Sequence, residues 1–150
     1  MDTPAFQDFY PDPVAHCYGC GRLNPKGLRI RTRWEGEESV TRFRPRPEHT
    51  AMPGYVYGGL LASLLDCHGT GTAAAARYRQ EGRPMGSEPA FRFVTASLQV
   101  DYLRPTPIHC ELEIRGRVVA ISGRRVTVEA TVTAEGVITA RGRIEAAQMP

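Results

Sequence analysis

Four residues with small or polar side chains recur along the most apolar stretch of the chain. Gly59, Ser63, Asp66 and Thr70 follow at intervals of four, three and four residues, which places them on one face of a helix. The leucines between them and the alanines of 73–76 leave almost no charged face, so we expect this helix to be buried nearly all round. An ionised carboxylate inside a buried helix is costly unless it has a partner. We therefore predict a functional role for Asp66; the alternative is an aspartate that only fixes the packing.

The histidine two residues after Asp66 is a weaker candidate. The run His68-Gly-Thr-Gly-Thr72 resembles a histidine motif of ketoacyl synthases, but those enzymes are several times longer than this chain. Residues two apart on a helix point to different sides, so Asp66 and His68 do not form a local dyad. The chain has no G-x-S-x-G nucleophile elbow. Gly69 and Gly71 each cost about 1 kcal/mol relative to alanine inside a helix, which indicates close approach by a partner helix or a ligand.

Segments with the alternation of β-strands surround the helix. Prolines 45, 47 and 53, with Gly54, separate the helix from the strands before it, and we expect the helix to end near Arg79. Strands are predicted over 28–34, 40–44, 94–102, 108–115, 126–132 and 137–146. Six strands, with one buried helix after the second, predict an α+β fold in which an antiparallel sheet wraps round the helix.

The two-residue period of a strand also assigns side chains to the faces of this sheet. In the third strand, one face is predicted to carry Val94, Ala96, Leu98, Val100 and Tyr102, and the other Thr95, Ser97, Gln99 and Asp101. In the sixth strand, Ile138, Ala140 and Ile144 are predicted to point inward.

Length and charge restrict the class of protein. At 150 residues the chain fits one domain, 1–150, whose first part, 1–27, is predicted to be an irregular arm. The net charge of +3 comes mostly from scattered arginines, which suits an anionic small molecule but gives no nucleic-acid footprint. The sequence contains neither a run of 18 apolar residues nor a basic segment followed by an apolar one at its start. We expect a cytoplasmic protein without a membrane partner.

The four cysteines of the chain indicate reduced thiols rather than a disulfide framework. Cys17 and Cys20 form the one pair that is close in sequence. A structural zinc ion usually takes four nitrogen or sulfur ligands, and no second well-spaced pair is present. The other candidates are His16, Cys67, His68, His109 and Cys110. We therefore expect no metal and no cofactor.

The helix and the turn before it resemble a known family, the hotdog-fold acyl-CoA thioesterases, and within it the phenylacetyl-CoA thioesterase-like branch. That branch carries His-Gly-Gly at the helix start and an aspartate nine residues after the histidine. This sequence has Tyr57, Gly58 and Gly59 at those positions, with Asp66 at the same offset. The resemblance implies a hotdog fold, an antiparallel sheet of about five to six strands wrapped round one long central helix.

Two further segments extend the resemblance to about residues 17–146. Thr95–Pro107 is similar to the strand that follows the helix in the family, and Cys17–Leu28 is similar to a lead-in segment of relatives. The second similarity makes a packed cap near the site a better expectation for Cys17–Leu28 than a metal knuckle.

The resemblance implies hydrolysis of an acyl-CoA to a free acid and CoA. The backbone N–H of Gly59 would polarise the thioester carbonyl, and Asp66 would act as base or nucleophile. Thr95 occupies the position of a catalytic threonine of the family, and either Thr95 or Thr70 can orient a water. Tyr57 replaces the family histidine, and a phenol cannot serve in its place as a base near neutral pH.

A second group of residues is predicted to bind the substrate. It consists of Tyr57, Gly58, Ser63, Asn24, His49, Arg104, Arg124 and Arg125. The arginines lie on predicted loops or strand ends, where they can meet the phosphates of CoA. Asn24 is included because it belongs to the lead-in segment.

Gly59 and Asp66 cannot both act on one thioester within one chain. Seven residues of helix separate them by about 10 Å, and both groups must come within roughly 3 to 3.5 Å of the same reacting group. We therefore predict a homodimer or a dimer of dimers (a homotetramer) in which Gly59 of one protomer serves with Asp66 of another. Two alternatives stay open: a thioesterase that acts on a carrier protein, and a non-catalytic acyl-CoA-binding protein, which Tyr57 favours and Asp66 disfavours.

Overall fold

The structure, a computed structural model, describes residues 3–150 and is built from one long helix and six strands. The helix α1 spans Gly58–Gln80. The strands are β1 (Thr32–Glu35), β2 (Glu38–Phe43), β3 (Phe93–Tyr102), β4 (Leu112–Ser122), β5 (Arg125–Ala134) and β6 (Val137–Gln148). They form one antiparallel sheet in the order β1-β2-β4-β5-β6-β3. Because α1 packs against all six strands, the predicted α+β fold is confirmed.

The helix is buried along most of its length, as its composition predicts. Leu64 and Leu65 are fully buried in the core that α1 forms with the sheet. A Cβ atom at Gly69 would lie 2.5 Å from the side chain of Ile144 on β6, and one at Gly71 would lie 2.7 Å from the side chain of Gln7. The close approach predicted at these glycines is therefore present, but the sheet and the N-terminal arm make it rather than a partner helix or a ligand.

His68 belongs to a buried polar network between α1 and the sheet. Its Nδ1 lies 2.8 Å from the hydroxyl of Thr41, and its Nε2 lies 2.9 Å from the hydroxyl of Ser39. Thr72 donates a hydrogen bond to the same Ser39 hydroxyl at 2.8 Å. Burial lowers the pKa of His68 to about 3. The imidazole is therefore neutral and structural, on a different side of the helix from Asp66.

The N-terminal arm is more ordered than the sequence predicts. It contains two short 3-10 turns, Phe6–Phe9 and Asp12–Val14. The amide of Gln7 is buried and holds the start of β1, because its oxygen accepts the Thr32 N–H at 2.8 Å. Contacts of this kind join residues that are distant in sequence, so the local periodicity of the arm does not predict them.

A β-bulge in β3 changes the faces predicted for this strand. Thr95 lies opposite Ala146 and Ser97 opposite Glu145, so Ala96 is the extra residue. Opposite residues of an antiparallel pair share a face of the sheet. Ala146, opposite Thr95, and Ile144, opposite Leu98, are both buried against the helix. The prediction that Thr95 and Leu98 point to different faces is therefore wrong: both point to the helix side, and Val94 points away.

A second bulge corrects the prediction for β6. Val132 pairs with Ala140, but Thr133 pairs with Ile138, so Thr139 is the extra residue. Ala140 and Ile144 are fully buried as predicted, whereas Ile138 is 47% exposed. The prediction that Ile138 points inward is wrong, because the bulge at Thr139 reverses the alternation for the residues before it.

Two strands begin later than their alternation indicates. The N–H groups of Leu28 and Ile30 bond to carbonyls of the arm, at Tyr18 and Gly19, so the sheet begins only with β1 at Thr32. The strand predicted from residue 108 likewise begins at Leu112. Within residues 3–150, no helix combines the length and apolar character needed to cross a membrane.

Candidate active site

Asp66 lies half-buried in the middle of α1, with its carboxylate turned towards β3. The hydroxyl of Thr95 donates a hydrogen bond to its Oδ1. The bulge at Ala96 is what aims Thr95 at the helix, and bulges of this kind often redirect a side chain beside an active site. The carboxylate is thus held in one orientation by a residue from a different element.

A cavity of about 500 Å³ opens beside this carboxylate. Asp66, Thr70 and Thr95 form one wall. The other lining residues come from the arm, the loop before β3 and the C-terminus: Tyr10, Pro11, Val14, Cys17, Cys20, Cys67, Ala74, Phe91, Arg92, Phe93, Val94 and Met149. Most of these side chains are apolar, so the cavity suits a hydrophobic group placed next to a carboxylate.

The start of α1 presents free N–H groups. The N–H groups of Leu60 and Leu61 bond to the carbonyl of Tyr57 at 3.0 and 3.5 Å. Within residues 3–150, the N–H groups of Gly58 and Gly59 have no acceptor in the protein. Such groups at a helix start carry partial positive charge and can bind a developing oxyanion.

Two tyrosines flank these glycines. A Cβ atom at Gly59 would lie 2.4 Å from the ring of Tyr57, so this ring lies over Gly59, although Tyr57 is 59% exposed. The hydroxyl of Tyr102, near the end of β3, donates a hydrogen bond of 2.8 Å to the carbonyl of Gly58. Arg104 lines a depression of about 350 Å³ beside the same turn. The structure therefore brings Tyr57, Gly58, Gly59 and Arg104 together at the helix start.

Ser63 and Thr70 use their hydroxyls within the helix. Ser63 donates to the carbonyl of Gly59 at 2.9 Å, and Thr70 donates to the carbonyls of Asp66 and Cys67 at 3.4 and 3.3 Å. Thr70 also lines the cavity, but its hydroxyl is not directed at the carboxylate of Asp66. Of the two threonines predicted to assist Asp66, only Thr95 contacts its carboxylate.

His49 lies behind the helix start rather than in the cavity. Its Nδ1 accepts the N–H of Arg46 at 2.9 Å, and its carbonyl accepts the N–H of Tyr57 at 2.8 Å. Its Nε2 is buried without a partner, and burial, with the nearby charge of Arg46, lowers its pKa. His49 therefore supports the turn that carries Tyr57.

The remaining predicted residues lie apart from the helix start. Asn24 stabilises the arm, since its side chain donates to the carbonyl of His16 at 3.2 Å and accepts the N–H of Lys26 at 3.0 Å. Arg124 and Arg125 lie at the turn between β4 and β5, where Arg77 of the last turn of α1 bonds to Gly123. Eighteen residues of helix separate Arg77 from Gly59, a distance of about 27 Å.

Several cavity residues are not predicted by the sequence. Cys67 of α1 lies beside Cys17 and Cys20 of the arm, and the three Sγ atoms are within 4.8 Å of one another. Hydrogen bonds from Cys20 and Cys67 lower the pKa of Cys17, and donating such a bond raises the pKa of Cys67. A CxxC pair followed by a helical cysteine is visible in the sequence, but their proximity depends on how the arm folds back. Tyr10 of the arm and Arg92 of the loop before β3 also line the cavity, and the sequence does not predict this either.

Comparison with known proteins identifies the family. Residues 53–140 match the sequence model of the thioesterase superfamily. The chain belongs to this superfamily. Among solved structures, a thioesterase superfamily protein from Shewanella loihica PV-4 is 44% identical, with a TM-score of 0.71 over 94% of this chain and all of that chain. A thioesterase from Haemophilus influenzae, 13% identical, shares the fold with a TM-score of 0.69 over 87% of this chain and 85% of its own.

Sequence relatives carry a more specific name. The acyl-coenzyme A thioesterase THEM4 of Xenopus laevis is 34% identical over 87 residues, which are 58% of this chain and 33% of that protein. THEM4 of Rattus norvegicus is 31% identical over 81 residues, 54% of this chain and 29% of that protein. The chain thus spans about a third of the length of the curated relatives it matches. The predicted superfamily and the predicted hotdog fold are confirmed.

Proposed function

We propose that this protein hydrolyses the thioester of an acyl-CoA to a free acid and CoA, with Asp66 as base or nucleophile. The observation that carries the proposal is the carboxylate of Asp66, fixed by Thr95 at the wall of a largely apolar cavity. Membership of the thioesterase superfamily supports the reaction type. The name of the THEM4 relatives supports CoA as the thiol part of the substrate.

The chemistry requires a carboxylate and an oxyanion donor on the same carbonyl carbon. Asp66 either attacks that carbon or removes a proton from the water that attacks it, and the CoA sulfur leaves as the C–S bond breaks. Overall, one water is added across the C–S bond, which gives the acid and the free thiol. The acyl group occupies the apolar cavity, so the reacting carbon lies at the carboxylate.

The oxyanion donor in this proposal is Gly59 of a second protomer. Within one chain, Gly59 lies about 10 Å from Asp66 along the helix, too far to share a carbonyl with it. The N–H of Gly59 has no acceptor within residues 3–150, and the glycine leaves room for a carbonyl oxygen once the exposed Tyr57 ring moves aside.

The strand β3 supports this assembly. It pairs only with β6 in residues 3–150, so one edge is free, and its apolar residues Val94, Leu98 and Tyr102 are 47%, 37% and 54% exposed. A long apolar edge strand requires cover in solution. β3 contacts Asp66 through Thr95 near its first end and the helix start through Tyr102 near its last end. Antiparallel pairing of two β3 strands about a twofold axis therefore sets the helix start of one protomer beside Asp66 of the other.

CoA carries phosphates, and the arginines are the proposed contacts. Arg104 lies at the helix start, beside the proposed oxyanion donor. Arg124 and Arg125 lie at the other end of α1, and the N–H of Gln148, next to the cavity residue Met149, bonds to the carbonyl of Arg124 at 2.8 Å. Charge removal at Arg104, or at Arg124 and Arg125 together, should raise KM for acyl-CoA if that group binds phosphate.

The test is a panel of aliphatic and aromatic acyl-CoAs and acyl carrier proteins, with the released thiol as the readout. We expect turnover of at least one acyl-CoA and a loss of kcat of at least about 1000-fold in Asp66→Asn, with substrate binding retained. Glu129→Gln is the control, because Glu129 is an exposed carboxylate of β5, away from the β3 edge, and should leave kcat unchanged. Turnover of acyl carrier proteins alone would favour the carrier-protein alternative, and acyl-CoA binding without any turnover would favour a binding protein.

A further inference from the structure

Three thiols from two separate parts of the chain meet beside the cavity. Cys17 and Cys20 belong to the turn of the arm, and Cys67 follows Asp66 on α1. Their Sγ atoms all lie within 4.8 Å of one another, and those of Cys17 and Cys67 are 3.9 Å apart. Cys20 and Cys67 are each only 6% exposed, whereas Cys17 is exposed. Cys110, the fourth cysteine, is not part of this cluster.

The Cys17–Cys67 sulfur separation of 3.9 Å matches a metal site better than a disulfide, and no pair in the cluster exceeds 4.8 Å. Zinc–thiolate bonds of about 2.3 Å place two sulfurs of a tetrahedral or trigonal site about 3.8 to 4.0 Å apart. A disulfide requires a separation of about 2.05 Å, so the chain would have to move to form one. The cluster therefore needs only small shifts of side chains to surround one cation.

The turn of the arm is built for this approach of Cys67. A Cβ atom at Gly19 would lie 2.4 Å from the Sγ of Cys67, so any side chain at this position would displace the thiol. A Cβ atom at Gly21 would lie 2.4 Å from the backbone nitrogen of Cys17. The N–H of Gly21 bonds to the carbonyl of Cys17 at 2.7 Å, and the N–H of Ile30 bonds to that of Gly19 at 2.9 Å. The glycines and these hydrogen bonds fix the two arm thiols against the helix.

We propose that Cys17, Cys20 and Cys67 form a three-thiolate site for a thiophilic d¹⁰ divalent cation of the Zn²⁺ class, which clamps the arm to α1. The three thiols line the cavity of Asp66, so the fourth coordination position faces this cavity and takes water or a small ligand. Each thiol that binds loses its proton to the buffer. The site does not depend on the proposed hydrolysis. It also differs from the sequence prediction of no metal, which required a second pair of ligands close in sequence and therefore set Cys67 aside.

The direct test is titration of the full-length, reduced and chelator-treated protein with Cd²⁺, followed by thiolate-to-metal charge-transfer absorbance and by elemental analysis after desalting. We expect one ion per chain, and competition by Zn²⁺ for the same site. Cys17→Ser and Cys67→Ser should each weaken binding by at least about 100-fold, because the loss of a first ligand exceeds the 10–100-fold effect of outer contacts. Cys110→Ser is the matched control and should bind like the wild type.

A second measurement covers the case in which a variant folds poorly. Zn²⁺ should raise the unfolding midpoint of the wild type and of Cys110→Ser, but not that of Cys17→Ser, whose substituted side chain is exposed. Gly19→Ala should lose Cd²⁺ affinity although it keeps all three thiols. Absence of stoichiometric binding in the wild type, equal weakening in Cys110→Ser, or a protein that forms a Cys17–Cys20 disulfide in air and binds no Cd²⁺ when reduced would each overturn the proposal.

Discussion

At the scale of residues, the sequence predicts the position of Asp66 on the helix. It predicts the partner of this carboxylate, Thr95, only through the family resemblance. The four-three-four spacing places it on the polar stripe of a buried helix, and the structure agrees. The strand alternation, however, turns Thr95 away from the helix, because a bulge depends on pairing between distant strands and has no local pattern. The contact between Thr95 and Asp66 could therefore be expected from family resemblance but not from periodicity.

Replacement of Thr95 tests whether its hydroxyl positions the carboxylate. A hydrogen bond to a charged group contributes about 1.5 to 3 kcal/mol, so Thr95→Ala should lower kcat by roughly 10- to 150-fold with a smaller effect on KM. Thr95→Ser keeps the hydroxyl and should recover most of the rate. Thr131→Ala, on the outer face of β5, is the control. Equal rates for Thr95→Ala and the wild type would show that Thr95 is only a strand residue.

Tyr57 differs from the family histidine, and its ring lies over Gly59. A role in shaping the mouth of the site needs the ring but not the hydroxyl, since within residues 3–150 no hydrogen bond of that hydroxyl is present. We expect Tyr57→Phe to change kcat/KM by less than about 3-fold and Tyr57→Ala to lower it by about 10-fold or more. The steady-state constants of both variants decide this. A complete loss in Tyr57→Phe would make the hydroxyl essential and contradict this account.

At the scale of elements, the helix and the sheet are predicted well where burial alone decides the structure. The apolar leucines and alanines identify α1, and the alternation identifies all six strands. The errors fall where long-range contacts act: at the bulges of β3 and β6, and in the arm that Gln7 ties to β1. The thiol cluster belongs to the same class, because it appears only when the arm packs on the helix.

The buried histidine of α1 gives a pH dependence with a definite sign. The pKa of His68 is about 3 in the folded protein, below the value of about 6.5 expected for an unfolded chain. As pH falls through this window, the unfolded state takes up a proton that the folded state does not, so stability falls by up to about 1.4 kcal/mol per pH unit. Denaturant unfolding of the wild type and His68→Gln between about pH 7 and 4 should show the advantage of the wild type shrinking on acidification.

The control for this titration is His109→Gln, which removes an exposed histidine. We expect its stability to follow the wild type at every pH. If the difference between the wild type and His68→Gln stays constant between pH 7 and 4, the proton is not excluded from His68, and the buried network does not hold a neutral imidazole.

At the scale of the whole molecule, one chain alone does not contain a complete site of the kind proposed. The proposed oxyanion donor, Gly59, and the carboxylate of Asp66 lie at different positions of one helix, and the apolar edge strand β3 has no cover within residues 3–150. The proposed twofold dimer through β3 accounts for both observations, because it covers the edge strand and brings Gly59 of one protomer to Asp66 of the other. The sequence predicts the need for such an assembly from helix geometry, but only the order of the strands shows that β3 is the available edge.

A charge at a partly exposed position of the edge strand β3 should separate the protomers. Leu98→Lys places an ammonium on the apolar edge strand, and we expect a shift towards monomer with a parallel loss of activity. Val119→Lys on β4 is the matched control, since Val119 is similarly exposed, at 42%. Sedimentation equilibrium measures the mass of the assembly, and release of the free thiol measures the activity. A fully active monomer would exclude the shared site.

The most direct test of the shared site is complementation between two inactive parents. Asp66→Asn removes the carboxylate and keeps Gly59, whereas Gly59→Val blocks the proposed oxyanion donor and keeps Asp66. The three atoms nearest to a Cβ at this position all belong to the exposed ring of Tyr57. After subunit exchange at equal amounts, half of the dimers are mixed, and each mixed dimer has one intact site. The account predicts recovery of about a quarter of the wild-type activity. No recovery in verified mixed dimers of folded parents would contradict it, because both groups would then have to act within one chain.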